Sequence, residues 1–174
     1  MSPQKSTKKI YFVSHGLCKL NVEGLFAGHT ETPLVAEGRQ QAELAGEQAK
    51  TLDIDYIISS PMGRCTETAK IIAKAIGYPE DKIHIDPLFI ERNCGDKERT
   101  TYIHGYDFST VPNAEDDNML KARAAKAVKV LDSIDAQNIL VVSHGGIGRA
   151  IRFHLKPEVS FLQQIKNGHI EEWV

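Results

Sequence analysis

Short apolar runs alternate along this chain with longer stretches in which apolar residues recur every three or four positions. The runs 10–13 and 139–142 are rich in β-branched residues and predict buried strands, and 55–59 predicts another. Helical spacing recurs in four stretches: about 37–52, 60–76, 113–131 and 145–155. Strands that alternate with helices in this way predict an α/β fold, a three-layer α/β/α sandwich around a mostly parallel central sheet.

Residues typical of helix caps predict the start of two helices and the end of one. Ser60-Pro61 is a typical helix start, because serine caps the first turn and proline suits the first helical position. Gly77 is a typical helix end. Asn113 is the expected cap of the next helix.

The remaining segments are predicted to be non-helical. The apolar residues of 83–90 indicate an extended segment, and 92–112 shows no period and indicates an irregular lid. Asn167-Gly168 is a favoured two-residue turn, so we expect a terminal hairpin that supplies an antiparallel edge to the sheet.

Length and composition indicate one ordinary globular domain. The chain has 174 residues, which suits a polar N-terminal tail at 1–9 followed by a single domain at 10–174. The net charge of -2 gives no reason to expect nucleic acid or a membrane as a partner, and we expect a cytoplasmic protein. The oligomeric state is left open. Three cysteines are an odd number without the spacing of a disulfide framework or a zinc motif: Cys18, Cys65 and Cys94.

Two histidines come directly after the two clearest strands, and each lies within a Ser-His-Gly sequence. His15 comes after the first strand and His144 after the last. Ligand sites in α/β sheets lie outside the carboxyl ends of the strands, so both histidines could meet over one pocket. The plain alternative is that each one caps nearby backbone groups.

Two further residues suit a pocket for a phosphoryl group. Arg64 lies in the first turn of a predicted helix, where its guanidinium and the free N–H groups would favour an anion. Glu91 comes after the apolar residues 88–90, which predicts a raised pKa and a role as proton donor. Alone, Arg64 could be a solvated surface residue, and Glu91 could pair with Arg92.

Taken together, these residues resemble the histidine phosphatase superfamily, also called the phosphoglycerate mutase-like family. The similar motifs occur in the family's order: 11–16, Asn21, 28–34, 38–42, 59–69, Glu91, Gly95, Glu98 and 142–146. The resemblance implies the phosphoglycerate mutase-like sandwich and a phosphatase that needs no metal and no cofactor.

The resemblance also implies a role for each residue. His15 would be the nucleophile that becomes phosphorylated, Arg64 and His144 would hold the phosphoryl oxygens, and Glu91 would be the general acid and base. We expect further residues on the substrate side: Ser14, Asn21, Gly28, Arg92 and Gly145.

One departure from the family pattern concerns the position before the nucleophile. The family places arginine there, and this chain has Ser14; Leu17 and Cys18 also depart from the pattern. A lost cationic contact of this kind costs about 3–4 kcal/mol in the transition state. Three interpretations are open: an active enzyme with a substitute cation, a weakened enzyme, or a phospholigand-binding relative without catalysis. The candidate substitutes are Lys19, Arg92 and Arg149.

Lid length favours hydrolysis over mutase-type phosphoryl transfer. A mutase must shield its phosphohistidine from water, and mutases in this family have a longer insertion than 92–112. We therefore expect a phosphomonoester hydrolase, with a mutase as the alternative. The substrate would be a small-molecule phosphomonoester or a phosphoprotein, selected by lid residues of suitable type: Tyr102, His104 and Tyr106.

Overall fold

A computed structural model describes residues 7–174 of the chain. The strands and α-helices are, in chain order, β1 (Lys9–Ser14), α1 (Lys19–Val22), α2 (Ala36–Ala49), β2 (Tyr56–Ser59), α3 (Gly63–Ile76), β3 (His84–Ile85), α4 (Asp117–Ser133), β4 (Asn138–Ser143), α5 (Gly145–Leu155) and β5 (Ile170–Glu172). Short 3₁₀ turns lie at Glu80–Lys82, Pro87–Phe89 and Gly95–Lys97.

The sheet has the strand order β3-β2-β4-β1-β5, in which only β5 runs antiparallel. β1 and β4 are paired in parallel from Lys9 opposite Asn138 to Ser14 opposite Ser143. This register ends the two strands side by side. The predicted fold class, a mostly parallel sandwich with an antiparallel edge, is confirmed.

Both faces of the central strands are covered by helices. Ile10 and Phe12 of β1 join a core cluster with residues of α4 and α5, whereas Tyr11 and Val13 join one with residues of α2 and α3. Phe12 also stacks on Trp173, with ring centroids 4.2 Å apart. Burial on both faces explains why these strands are continuous apolar runs without alternation.

Two of the predicted helix starts were wrong. The third helix begins at Gly63, because the Ser60 hydroxyl bonds His144 (2.8 Å) and Met62 still has an extended backbone. The fourth helix is capped by Asp116, whose carboxylate accepts the Met119 N–H at 2.8 Å. Asn113 has φ of +60° and belongs to the preceding turn.

The structure also differs from the predicted extended segment and from the predicted terminal hairpin. Within 83–90 only His84–Ile85 is a strand, and Asp86 caps the next 3₁₀ turn by accepting the Leu88 N–H at 2.8 Å. The chain end forms no hairpin in the described range, since β5 pairs directly with β1. The antiparallel edge is therefore a single strand, which Gly168 precedes with φ of +63°.

At the N-terminal end, residues 1–6 of the predicted tail 1–9 lie outside the described residues. β1 already begins at Lys9, the last residue of that tail. The Lys8 ammonium donates to three carbonyls at the end of α4, those of Leu131, Asp132 and Ile134. No helix in the described range combines the length and apolar character that crossing a bilayer needs.

Candidate active site

The parallel register of β1 and β4 brings His15 and His144 together at the carboxyl edge of the sheet. Their ring centroids are 5.2 Å apart, and the rings meet edge to face at 68°. Both side chains are buried, with 5% of His15 and 0% of His144 exposed. Although the two residues are far apart in sequence, strand pairing alone makes them neighbours.

His15 is held in the orientation that a nucleophile requires. Its Nδ1 lies 2.7 Å from the Gly16 carbonyl, to which a ring N–H at this nitrogen donates. Its Nε2 accepts a hydrogen bond of 3.3 Å from Arg64 Nε. Burial is the main cause that lowers the pKa of His15 from 6.5 to about 4, and the neighbouring Arg64 charge is the second cause. The ring is therefore neutral at pH 7, with its lone pair on Nε2.

Arg64 has a fixed guanidinium because three acceptors hold it. Besides bonding His15, it donates from Nη1 to the Thr30 carbonyl at 2.9 Å and from Nη2 to the Gly28 carbonyl at 2.7 Å. Its side chain is only 1% exposed. The first turn of α3 thus presents a positive charge that cannot swing away from the histidines.

Glu98 organises the loop that holds Arg64, a role that the sequence reasoning missed. Its carboxylate accepts the His29 N–H at 2.8 Å and the Thr30 N–H at 3.0 Å, together with the Thr30 hydroxyl. Gly28 has φ of +45°, and a side chain there would overlap this carboxylate. No local pattern signals such a contact, because the loop and Glu98 are distant in sequence.

Glu91 faces the start of α5. One oxygen accepts the N–H groups of Arg92 (2.7 Å) and Ile147 (2.9 Å), and the other accepts that of Gly146 (3.0 Å). Burial raises the pKa of Glu91, but these three N–H donors and the Arg64 charge outweigh it and leave the pKa below its ordinary value. The predicted rise in pKa was therefore wrong for the protein without substrate, since sequence showed the apolar neighbours and not the donors.

His144 lies behind the cavity and contacts two residues to which sequence reasoning gave no role. Its Nε2 is 2.8 Å from the Ser60 hydroxyl and 3.3 Å from the Cys65 sulfur. Burial, and then the Arg64 charge, lower the pKa of His144 well below 6.5. The buried ring is thus neutral and fixed in position.

A cavity of about 330 Å³ opens above these groups. All the predicted site residues except His144 line it: Ser14, His15, Asn21, Gly28, Arg64, Glu91, Arg92 and Gly145. The structure therefore brings residues from separate regions of the chain together around one space.

The three candidate substitute cations differ in their positions. Lys19 is exposed and pairs with Glu23 at 3.9 Å, and it is absent from the cavity wall in the described structure. Arg92 lines the cavity, but it pairs with Asp117 at 2.6 Å. Arg149 also lines the cavity, and its buried Nε has no hydrogen-bond partner among residues 7–174. Of the three, Arg149 alone lines the cavity without an ion pair among residues 7–174.

All three cysteines lie in the described part of the chain, and all three are free thiols. Burial raises the pKa of Cys65 and raises that of Cys94 to about 12, so both are protonated at pH 7. Between residues 7 and 174, no three histidine, cysteine or carboxylate side chains are grouped so that they could hold a metal ion.

Comparison with known proteins identifies the family. The model of the histidine phosphatase superfamily (branch 1) matches residues 10–170. The chain belongs to this superfamily. The chain is 34% identical over 152 residues to "Probable phosphoglycerate mutase GpmB" of Enterobacter sp. (strain 638), a match covering 79% of the chain and 69% of the relative.

Solved structures of phosphatases share the fold. The alpha-ribazole phosphatase from Shigella flexneri superposes with a TM-score of 0.81 at 24% identity, covering 94% of this protein and 89% of that chain. A mycobacterial glucosyl-3-phosphoglycerate phosphatase solved with VO3 gives 0.80 at 21% identity, covering 95% and 92%. Family and neighbours together indicate a phosphatase or mutase-like enzyme.

Proposed function

We propose that this protein hydrolyses phosphomonoesters through a phosphohistidine formed on His15. The observation that carries the proposal is the neutral His15 ring, with Nδ1 fixed by the Gly16 carbonyl and the Nε2 lone pair beside Arg64 at the cavity floor. A nucleophile of this kind needs no further base, because the lone pair is already free of a proton. The phosphatases that share the fold support hydrolysis.

In the first step His15 Nε2 attacks phosphorus. The new P–N bond forms as the bond between phosphorus and the alcohol oxygen breaks, and the phosphoryl group passes to the ring. Arg64 compensates the charge on the non-bridging oxygens, and it exchanges its bond to His15 for bonds to these oxygens. His144 is itself fixed by Ser60, and its ring packs edge to face against His15 and holds the nucleophile in position.

Glu91 supplies the proton that the leaving alcohol takes up. Without substrate its three N–H donors keep it ionised, so the proton must arrive with the substrate. A phosphoryl group placed beside the carboxylate adds like charge, which raises the pKa of Glu91, and a substrate monoanion carries the proton itself. In the second step the Glu91 carboxylate takes a proton from water, the oxygen attacks phosphorus, and the P–N bond breaks to release phosphate and neutral His15.

The alternatives are favoured by separate observations. The name of the GpmB relatives favours a mutase, which would return the phosphoryl group to a second alcohol. Ser14 favours a phospholigand-binding protein without turnover, because it lines the cavity without charge where the family resemblance implies arginine. An unpartnered Arg149 Nε among residues 7–174 leaves a cation for the reaction in the same cavity, so we place hydrolysis first.

The experiment is an acid-free quench of the protein during turnover of a generic phosphomonoester, with phosphohistidine located by peptide mass spectrometry. We expect the phosphoryl group on His15, release of inorganic phosphate, and unchanged rates in EDTA. His84→Gln is the matched control, since His84 is an exposed strand residue away from the cavity. Undiminished hydrolysis in His15→Gln would refute the mechanism, and binding without phosphate release would support the non-catalytic alternative.

A further inference from the structure

The cavity has two chemically different ends. Its floor carries His15, Arg64 and Glu91, which the proposed reaction uses. Its wall also includes a group of apolar and aromatic side chains, here called the outer part, beside polar residues such as Asn21 and Gln164: Phe26, Tyr102, Tyr106, Phe108, Phe161 and Leu162. A phosphoryl group on the floor would place the alcohol part of its ester against this outer part.

One wall is an aromatic cluster centred on Phe26. The ring of Phe26 meets those of Tyr102, Tyr106 and Phe108 at centroid distances of 5.1, 6.0 and 5.4 Å, all edge to face. Phe26 and Phe108 are buried, whereas Tyr102 is 44% exposed. The cluster is thus packed from behind and presents ring surface to the cavity.

The opposite wall comes from the segment before β5. Phe161 lies under the Arg149 guanidinium, with its ring centroid 5.8 Å from the guanidinium carbon. The two walls join where His104 Nε2 lies 2.6 Å from the Leu162 carbonyl, with the Tyr102 hydroxyl 3.2 Å from His104 Nδ1. Both groups of rings line the same cavity, and so does Arg149; the space that they share is here called the slot.

We infer that the site selects phosphomonoesters whose alcohol carries an aromatic ring, a conclusion that rests on the proposed function. A planar ring in the slot would gain edge and face contacts with Phe26 and Tyr102 and stack near Arg149. A small polar alcohol would make none of these ring contacts, and Arg92 is already engaged by Asp117 and the Glu115 carbonyl.

The experiment compares kcat/KM for benzyl, cyclohexylmethyl and glycerol 1-phosphate. All three are esters of primary alcohols, so the comparison does not rest on an activated aryl leaving group. We expect benzyl phosphate to exceed glycerol phosphate by about 100-fold, as an extra apolar group in a fitted pocket gives. Cyclohexylmethyl phosphate should fall about 5-fold below benzyl phosphate. Equal values for the two ring compounds, or a preference for glycerol phosphate, would overturn the inference and leave the hydrolase intact.

Variants of Tyr102 test whether this wall causes the preference. Tyr102→Phe keeps the ring and should retain the benzyl-over-cyclohexylmethyl ratio, whereas Tyr102→Leu should reduce that ratio about 3-fold. Tyr78→Leu is the remote control, because Tyr78 follows α3, packs on the α2 and α3 side of the sheet and is absent from the cavity wall. A ratio that is the same in Tyr102→Leu and wild type would contradict the assignment of this wall.

Binding of non-hydrolysable analogues separates this inference from the proposed function. Calorimetry with benzylphosphonate and ethylphosphonate needs no turnover, and we expect the benzyl compound to bind at least about 10-fold more tightly. Tighter benzylphosphonate binding without hydrolysis of any ester would refute the hydrolase and keep the ligand class. Hydrolysis of the esters with equal affinities for the two phosphonates would support the hydrolase and overturn the inferred ligand class.

Discussion

The two Ser-His-Gly segments have the same sequence and the same place in the sheet, yet their environments differ. Ser14 and Ser143 are register partners, so each histidine leaves its strand at the same level. His15 lines the cavity and directs Nε2 toward Arg64. His144 lies behind the cavity wall, with Nε2 toward Ser60.

The difference arises from the segment that continues the chain after each strand. After His15 the chain enters a loop, and its backbone Gly16 supplies the carbonyl that fixes the ring. After His144 the helix α5 begins at once, and the ring is completely buried. Ser143 is likewise buried and donates its hydroxyl to the Phe89 carbonyl at 2.6 Å, while Ser14 borders the cavity. Identical motifs therefore place one ring at the cavity and the other behind its wall, which is the difference on which the proposed roles of attack and positioning rest.

The largest expected effect is on kcat when each of the two histidines is replaced in turn. His15→Gln should lower kcat by at least about 10⁴-fold, because it removes the nucleophile. His144→Gln should lower kcat by about 10²-fold, because it removes the ring that packs edge to face against His15 and leaves the attack itself in place. Rapid-quench kinetics with phosphohistidine detection checks both. Phosphohistidine in His15→Gln but not in His144→Gln would reverse our assignment.

Acid should destabilise the fold through these buried rings. The folded pKa of His15, about 4, lies below its unfolded value of 6.5, so its stability contribution is present above pH 6.5 and is lost as pH falls toward 4. This corresponds to about 2 kcal/mol less stability at pH 5 than at pH 7.5. The lowered pKa of His144 acts in the same direction.

Urea unfolding of wild type and His15→Gln at both pH values measures this effect. The variant should lose about 2 kcal/mol less than wild type between pH 7.5 and 5, since glutamine does not titrate. His84→Gln provides the comparison for an exposed histidine. Equal losses in His15→Gln and wild type would show that His15 titrates normally in the folded protein.

Ser14→Arg should sharpen the contrast between the two serines. An arginine bordering the cavity can reach the phosphoryl oxygens, and we expect kcat/KM to rise by about 10²-fold. In the Arg149→Met background the gain should be larger, because Arg149 then no longer supplies part of the same contact. A gain that is the same in both backgrounds would mean that Arg149 does not substitute for the missing cation.

The smallest effect concerns Ser143→Ala. Removing its hydroxyl leaves the Phe89 carbonyl without this partner and should cost about 1 kcal/mol of unfolding free energy. Activity should change little, whereas Ser14→Ala should leave stability nearly unchanged. Paired thermal unfolding and kcat/KM measurements check this division. A loss of stability in Ser14→Ala equal to that in Ser143→Ala would remove the distinction between the two positions.

Elements with a strong local signal were predicted from sequence. The strands β1 and β4 and the helix α5 were expected from apolar periodicity, because burial on one or two faces dictates the pattern. Two helix starts were missed: Ser60 forms a long-range bond with His144 instead of capping a helix, and Asp116 instead of Asn113 is the local cap of α4. A hydroxyl or carboxylate has several partners available, and local sequence does not rank them.

Sequence by itself determined the family, the three-layer sandwich and the set of residues that could carry phosphoryl chemistry. Only the tertiary structure decided their electrostatics and availability. The pKa of Glu91 is lowered by N–H groups of α5, which becomes its neighbour only through folding. Likewise Arg92 is paired with Asp117 while Arg149 keeps an unpartnered buried Nε among the described residues. The physical reason is that charge and hydrogen-bond energies depend on distances between groups that the chain order leaves unspecified.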